Sequence, residues 1–148
     1  MLGRTQIKRW VQLTLFASGD SHATENPLVD MAAVRGGLME QMAMVCPGLH
    51  NNRDAAEQAY MIGILSLLES LYDISMEQIS LELNLPKDVQ QALLSREGNF
   101  GALLNLVESV EQVNFSVSVE ILEELSIPYH LLMEGQIKAY NWYGPAEA

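Results

Sequence analysis

Residues 59–68 read AYMIGILSLL, an uncharged run interrupted by one serine, Ser66. Apolar side chains occupy every angular position of a 3.6-residue turn here, so the run predicts a helix covered on all sides, with no wet face. Ten residues is far short of the roughly 20 needed to span a bilayer as a helix. Asp54 and Glu57 stand just upstream at capping-box spacing and predict where this central helix starts.

Upstream of it, Asn26 and Pro27 read as N-cap and first residue of another helix, where the missing proline N–H costs nothing. Leu28, Met31, Val34, Leu38, Met42 and Val45 fall at helical spacing and predict its buried stripe, and Pro47-Gly48 stops it. Gly36-Gly37 lies inside that helix, which points to close packing or a local kink, not to a phosphate-binding loop. Earlier still, Thr5 to Ala17 predicts an amphipathic helix, followed by the polar loop SGDSHATEN, residues 18–26.

Downstream, Ser75 with Gln78 caps a short helix ending near Leu83, Pro86 opens another through Leu94, and Gly98 breaks the chain. Phe100 to Val113 sets Leu103, Leu106, Val107 and Val110 on one face and Glu108 and Glu111 on the other. Ser118 to Leu125 predicts a short acidic helix, and Pro128 starts a last helix through Trp142, ended by Gly144-Pro145. Period-2 patterning is absent. The expectation is an all-α fold in one domain, residues 1–148, a compact array of roughly seven helices around Ala59–Leu68.

The charge balance narrows the function. Eight basic residues stand against nineteen acidic ones, a net charge of −11. Polyanions are bound by releasing counterions with Lys and Arg, so nucleic acid and anionic membrane surfaces are both disfavoured. Cys46 is the single cysteine, which excludes an intrachain disulfide and fits a reducing cytoplasm. Residues 3–17 begin basic and turn apolar, but Gln12 and Thr14 interrupt the apolar part, and the Trp10/Leu13 spacing is that of an amphipathic helix, not of a secretory leader.

Chemistry-bearing residues are sparse. His22 and His50 fall in loop-like sequence and His130 opens a helix, and each reads as a solvated or hydrogen-bonded histidine, not as a metal ligand. Cys46, between Val45 and Pro47 at a helix end, reads as packing, not as a nucleophile. Nucleophile-elbow, phosphate-loop and dinucleotide motifs are missing, and Glu120, Glu123 and Glu124 read as a solvated face. Residues 75–94 scan like a helix-turn-helix with Asn84-Leu85 at the turn. Its second helix would offer Lys87, Gln90 and Gln91 to base edges, but also Asp88, in a strongly acidic chain.

The segment AYMIGILSLLESLYDISMEQISLELNLPKDVQQALLSREG, residues 59–98, resembles the second half of an HDOD domain, a family related to HD-type phosphohydrolases. The opening LGRTQIKRWVQLTLFA is similar to a mid-domain helix of that family. The closing EGQIKAYNWYG is similar to the last helix of the bacterial version fused behind EAL domains, which hydrolyse cyclic di-GMP. In catalytic HD proteins a Gly-Leu-Leu-His-Asp run supplies two metal ligands. The matching run here is Gly63-Ile64-Leu65-Ser66-Leu67, so Ser66 and Leu67 stand at the ligand positions. Leucine cannot bind a divalent metal and serine is a poor substitute for imidazole. A further His-His pair would fall near Ser95-Arg96-Glu97, where there is no histidine.

The resemblance therefore implies a degenerate HD-like fold without catalytic residues, cofactor or metal. Its role would be signal transduction through protein contacts, with an upstream EAL domain as partner, in the cytoplasm. The alternative is a divergent metal-dependent phosphohydrolase, which would need at least three converging ligands, and after that a DNA-binding regulator. The family domain begins well before Leu2-Gly3, so the chain is expected to be a half-domain whose uncovered surface, at Trp10, Leu13 and Phe16, supports a homodimer. A carboxylate placed at Ser66 is expected to be unpaired in apolar surroundings and destabilising.

Overall fold

In the computed structural model, residues 27–49, 53–72 and 75–143 are described, and every regular element among them is helical. Seven α-helices follow in order: α1 Pro27–Val45, α2 Arg53–Tyr72, α3 Met76–Leu83, α4 Lys87–Ser95, α5 Gly98–Glu111, α6 Phe115–Leu125 and α7 Tyr129–Tyr143. A single 3-10 turn, Pro47–Leu49, follows α1 where Pro47-Gly48 predicts a stop. The all-α expectation is met. The helix over Thr5–Ala17, the loop after it, the Asn26 cap and the Gly144-Pro145 stop lie outside the described residues, as do Trp10, Leu13, Phe16, His22 and His50.

Helix ends follow local chemistry. The Ser75 hydroxyl accepts a hydrogen bond from the Gln78 N–H at 3.1 Å, the cap its spacing predicts. Asn84 leaves α3 in the left-handed conformation, with φ 51°. The Asn114 side chain accepts from the Val117 N–H, which starts α6 at Phe115, one turn earlier than the reading from Ser118. Asp54 does not cap α2. The helix already begins at Arg53, and Asp54 sits inside its first turn, where a carboxylate complements the positive end of the helix dipole.

The helix predicted to be central is central. Ala59, Tyr60, Ile62 and Leu65 are wholly buried on α2, whereas Ser66 is only half-buried. The stripe predicted for α1 is partly wrong. Leu38 and Met42 are buried and Val34 and Val45 are half-buried against the core, but Met31 is 54% exposed. Ala32, Ala33, Met39, Ala43 and Cys46 are buried instead. The reason is that α1 has two large neighbours, α2 and α7, and its small residues let α2 come close. The bulkiest side chains are therefore not the ones that choose the buried face.

The closest approach is at Gly36 on α1 and Gly63 on α2. A methyl group on Gly63 would lie 2.6 Å from Gly36 Cα and 2.8 Å from Gly36 N, and one on Gly36 would lie 2.9 Å from the Tyr60 carbonyl oxygen. The two helices touch backbone to backbone, with room for hydrogen alone. Gly135 on α7 is different, because a methyl there meets the Met42 Cε at 2.5 Å, the mobile end of a flexible side chain. Gly63→Ala should therefore destabilise the fold by about 1–3 kcal/mol through forced separation of the helices, despite alanine's higher helix propensity. Gly135→Ala should change stability by less than about 1 kcal/mol. Urea unfolding of the two variants checks this, and equal midpoints would mean that the α1–α2 contact can dilate freely.

Candidate functional site

The glycine contact fixes what lies beside it. Arg35 immediately precedes Gly36 on α1, and Ser66 stands one turn beyond Gly63 on α2. The Arg35 Nη1–H donates to Ser66 Oγ at 2.9 Å, and the Ser66 hydroxyl in turn donates to the Gly63 carbonyl at 2.8 Å. The other edge of the guanidinium faces α5. Nε donates to Glu111 Oε2 at 2.8 Å, and Nη2 pairs with Glu111 Oε1. The Arg35 side chain is 11% exposed and that of Glu111 is 38% exposed. One planar cation thus joins three helices, with a two-pronged carboxylate contact on its wetter side.

Beside this junction a cleft of about 550 Å³ opens between α1, α5 and α7. Its walls are mainly apolar, with Val34 and Leu38 from α1, Val107 and Val110 from α5, and Ile137 and Tyr140 from α7. Polar groups are few: the Arg35–Glu111 pair, and Gln136 and Asn141 on α7. A surface of this kind can seat apolar side chains and orient them with one charged pair. It offers no nucleophile beside a base among these residues.

The residues singled out by sequence fall in separate places. His130 is exposed in the first turn of α7 and does not line the cleft. Cys46 is buried in the core, consistent with packing. Glu120, Glu123 and Glu124 are all exposed on α6, the solvated face expected. Leu67 is 7% exposed, on the apolar side of α2. Among the described residues, no three of His, Cys, Asp and Glu converge as metal ligands would. In the helix-turn-helix-like segment, Gln90 Nε2 donates to the Leu85 carbonyl at 2.7 Å and Asp88 Oδ1 accepts from the Val89 N–H, so both side chains serve the turn and the helix start.

Arg35 escapes the sequence reading, which assigns Glu111 to a solvated face and makes nothing of the arginine. The signal that could have found it is the position of the cation, directly beside Gly36-Gly37 in a helix otherwise rich in Ala, Met and Val. The surroundings of Ser66 also differ from the expectation. They include a buried guanidinium, so a carboxylate there would have a partner.

The geometry is that of an all-α fold with an apolar cleft beside a paired arginine. The chain is 32% identical over 142 residues to the cyclic di-GMP phosphodiesterase CdgJ of Vibrio cholerae, a match covering 95% of this chain and 32% of that protein. It is also 28% identical over 127 residues to the uncharacterized protein YuxH of Bacillus subtilis, covering 84% of this chain and 30% of YuxH. The chain thus spans about a third of the length of these curated relatives. No family model and no solved structure matches it. Among the described residues, no helix is long and apolar enough to cross a membrane.

Ser66→Asp should shift the unfolding midpoint much less than Leu67→Asp, because only the first carboxylate meets Arg35. The buried, unpartnered aspartate at 67 should cost several kcal/mol, on the order of 3. In an Arg35→Met background the advantage of position 66 should vanish. Urea unfolding of the singles and the double variant reads the coupling directly; additive effects would show that Arg35 does not reach residue 66 in solution.

Proposed function

We propose that this chain is a non-catalytic regulatory domain of a cyclic di-GMP signalling protein, HDOD-like in kind, acting through contacts with an upstream EAL-type phosphodiesterase domain. The observation that carries the reading is the match to CdgJ, which runs through 95% of this chain yet accounts for only 32% of CdgJ. That proportion suits a domain appended to a catalytic one. The residues at the HD ligand positions support the non-catalytic half of the proposal. Ser66 binds the Arg35 guanidinium and Leu67 is buried, so neither offers an imidazole or a carboxylate to a metal. Repulsion from Arg35 would further disfavour a divalent cation beside Ser66. Such a domain would work in the cytoplasm, with protein partners and without nucleic acid.

The alternative, a divergent HD-type phosphohydrolase, needs at least three ligands around a metal. The test separates the two. Purified chain incubated with cyclic di-GMP and manganese should release no linear product, and the same polypeptide with an upstream phosphodiesterase domain should change its rate when this domain is deleted. Chelator-sensitive hydrolysis by the isolated chain would sink the non-catalytic reading. An unchanged rate on deletion would sink the regulatory one.

A further inference from the structure

The cleft between α1, α5 and α7 is an open trough whose outer wall is an apolar ridge. Met133, Ile137 and Tyr140 recur at i, i+4 and i+7 on α7. All three are exposed, Ile137 by 59%, while half-buried Val34 and Val110 face them from the opposite walls, with buried Leu38 and Val107 behind. A run of two helical turns is about 10.5 Å long. Apolar anchors at this spacing, facing an apolar floor, have the dimensions at which one amphipathic helix lies in a groove made by others. The exposed ridge is continuous along α7, unlike the scattered single apolar residues normal on any surface.

Charge selects the occupant. Glu111 stands at the edge of the trough with 38% of its side chain exposed. Its carboxylate accepts from Arg35 and keeps lone pairs for a further donor. Glu134 is exposed next to Met133 on the same helix. Among the described residues, the cation lining the trough is Arg35, which is already bound to Glu111 and Ser66, and Lys138 on α7 does not line it. With a net charge of −11 over the chain, the surrounding field attracts basic and repels acidic partners.

We propose that this trough receives one amphipathic helix of a partner protein, with apolar anchors seated on Met133, Ile137 and Tyr140 and a basic residue facing Glu111. The inference rests on the contact-domain reading and names the surface and the chemistry of the partner. The ridge provides the buried area and Glu111 fixes orientation. Arg35 also lines the trough, so the occupant lies beside the junction that holds α1, α2 and α5 together.

The experiment uses the full chain and two synthetic helical peptides of about four turns, both with leucine anchors at i, i+4 and i+7, one carrying arginines and the other glutamates on the flanking positions. Fluorescence anisotropy should show the basic peptide binding roughly tenfold or more tightly than the acidic one at low salt, the gap narrowing as salt rises. Ile137→Asp should weaken the basic peptide about tenfold or more, and Glu111→Gln should narrow the preference for the basic one. Leu81→Asp, at an exposed α3 position that does not line the trough, should change neither. Equal binding of the two peptides, or insensitivity to Ile137→Asp, would overturn the proposal. So would sedimentation showing a dimer that Ile137→Asp dissociates, since a second copy would then be the occupant. These outcomes are independent of cyclic di-GMP turnover: hydrolysis by the isolated chain would overturn the non-catalytic reading and leave the peptide result standing.

Discussion

Two glycines in backbone contact set the distance between α1 and α2, and the rest of the described structure is arranged by that distance. With Gly36 and Gly63 in register, a guanidinium on α1 reaches a hydroxyl on α2 at 2.9 Å. Dispersion attraction falls steeply with separation, so an extra methyl at this crossing loosens the packing on both sides of it. The neighbours are the largest buried side chains of the core, Tyr60, Met39, Ile62 and Ile64 among them. They fill the space beside a contact that has no side chain of its own, and a bulkier residue at the crossing would hold them apart.

The Arg35 junction follows from the same contact. Burying a guanidinium is costly unless its donors are met. Here Nη1 meets Ser66, and Nε and Nη2 meet Glu111. Water reaches the partly exposed carboxylate and screens the pair, so its contribution to stability is small. Its value is geometric. Three helices from distant parts of the sequence are tied at one point, and the cleft between α1, α5 and α7 lies beside it. A second ion pair, Arg96 with Glu108 at 3.0 Å, ties the turn after α4 to α5 in a similar way.

Where one physical signal dominated, the sequence was readable. AYMIGILSLL reads as a surrounded helix, and residues 59–65 and 67 are buried. Ser75 with Gln78 fixed a cap because the hydroxyl has one short-range donor to serve. Where two signals competed, the reading failed. Met31 looks like a core residue by hydropathy, yet the buried face of α1 is chosen by Ala32, Ala33 and Gly36, which permit close approach. Asp54 and Glu57 match a capping box, but Asp54 is equally at home inside the first turn of α2. Glu111 was legible only as a polar residue opposite Leu103, Leu106, Val107 and Val110. Its partner stands 76 positions away in sequence, and no local pattern announces such a pair. For the same reason the cleft was invisible. It is made by residues of α1, α5 and α7 that meet only when the chain is folded.

The identity of the cation at this junction bears on how such a domain could work. A metal held between helices makes their arrangement depend on metal supply and on the protonation of its ligands. Arginine keeps its charge at any physiological pH and cannot dissociate. Here a covalently attached cation holds α1, α2 and α5, and their packing at this point is indifferent to metal supply. A domain whose internal charges are fixed in this way has no chemical input of its own at that point. Any state it transmits has to enter where a second molecule can gain or lose contacts, because a ligand shifts a conformational equilibrium only by its differential affinity for the two states. The surface that meets this condition beside the junction is the trough over Arg35, where contact with Glu111 or the α7 ridge would bear on α1 and α5 together.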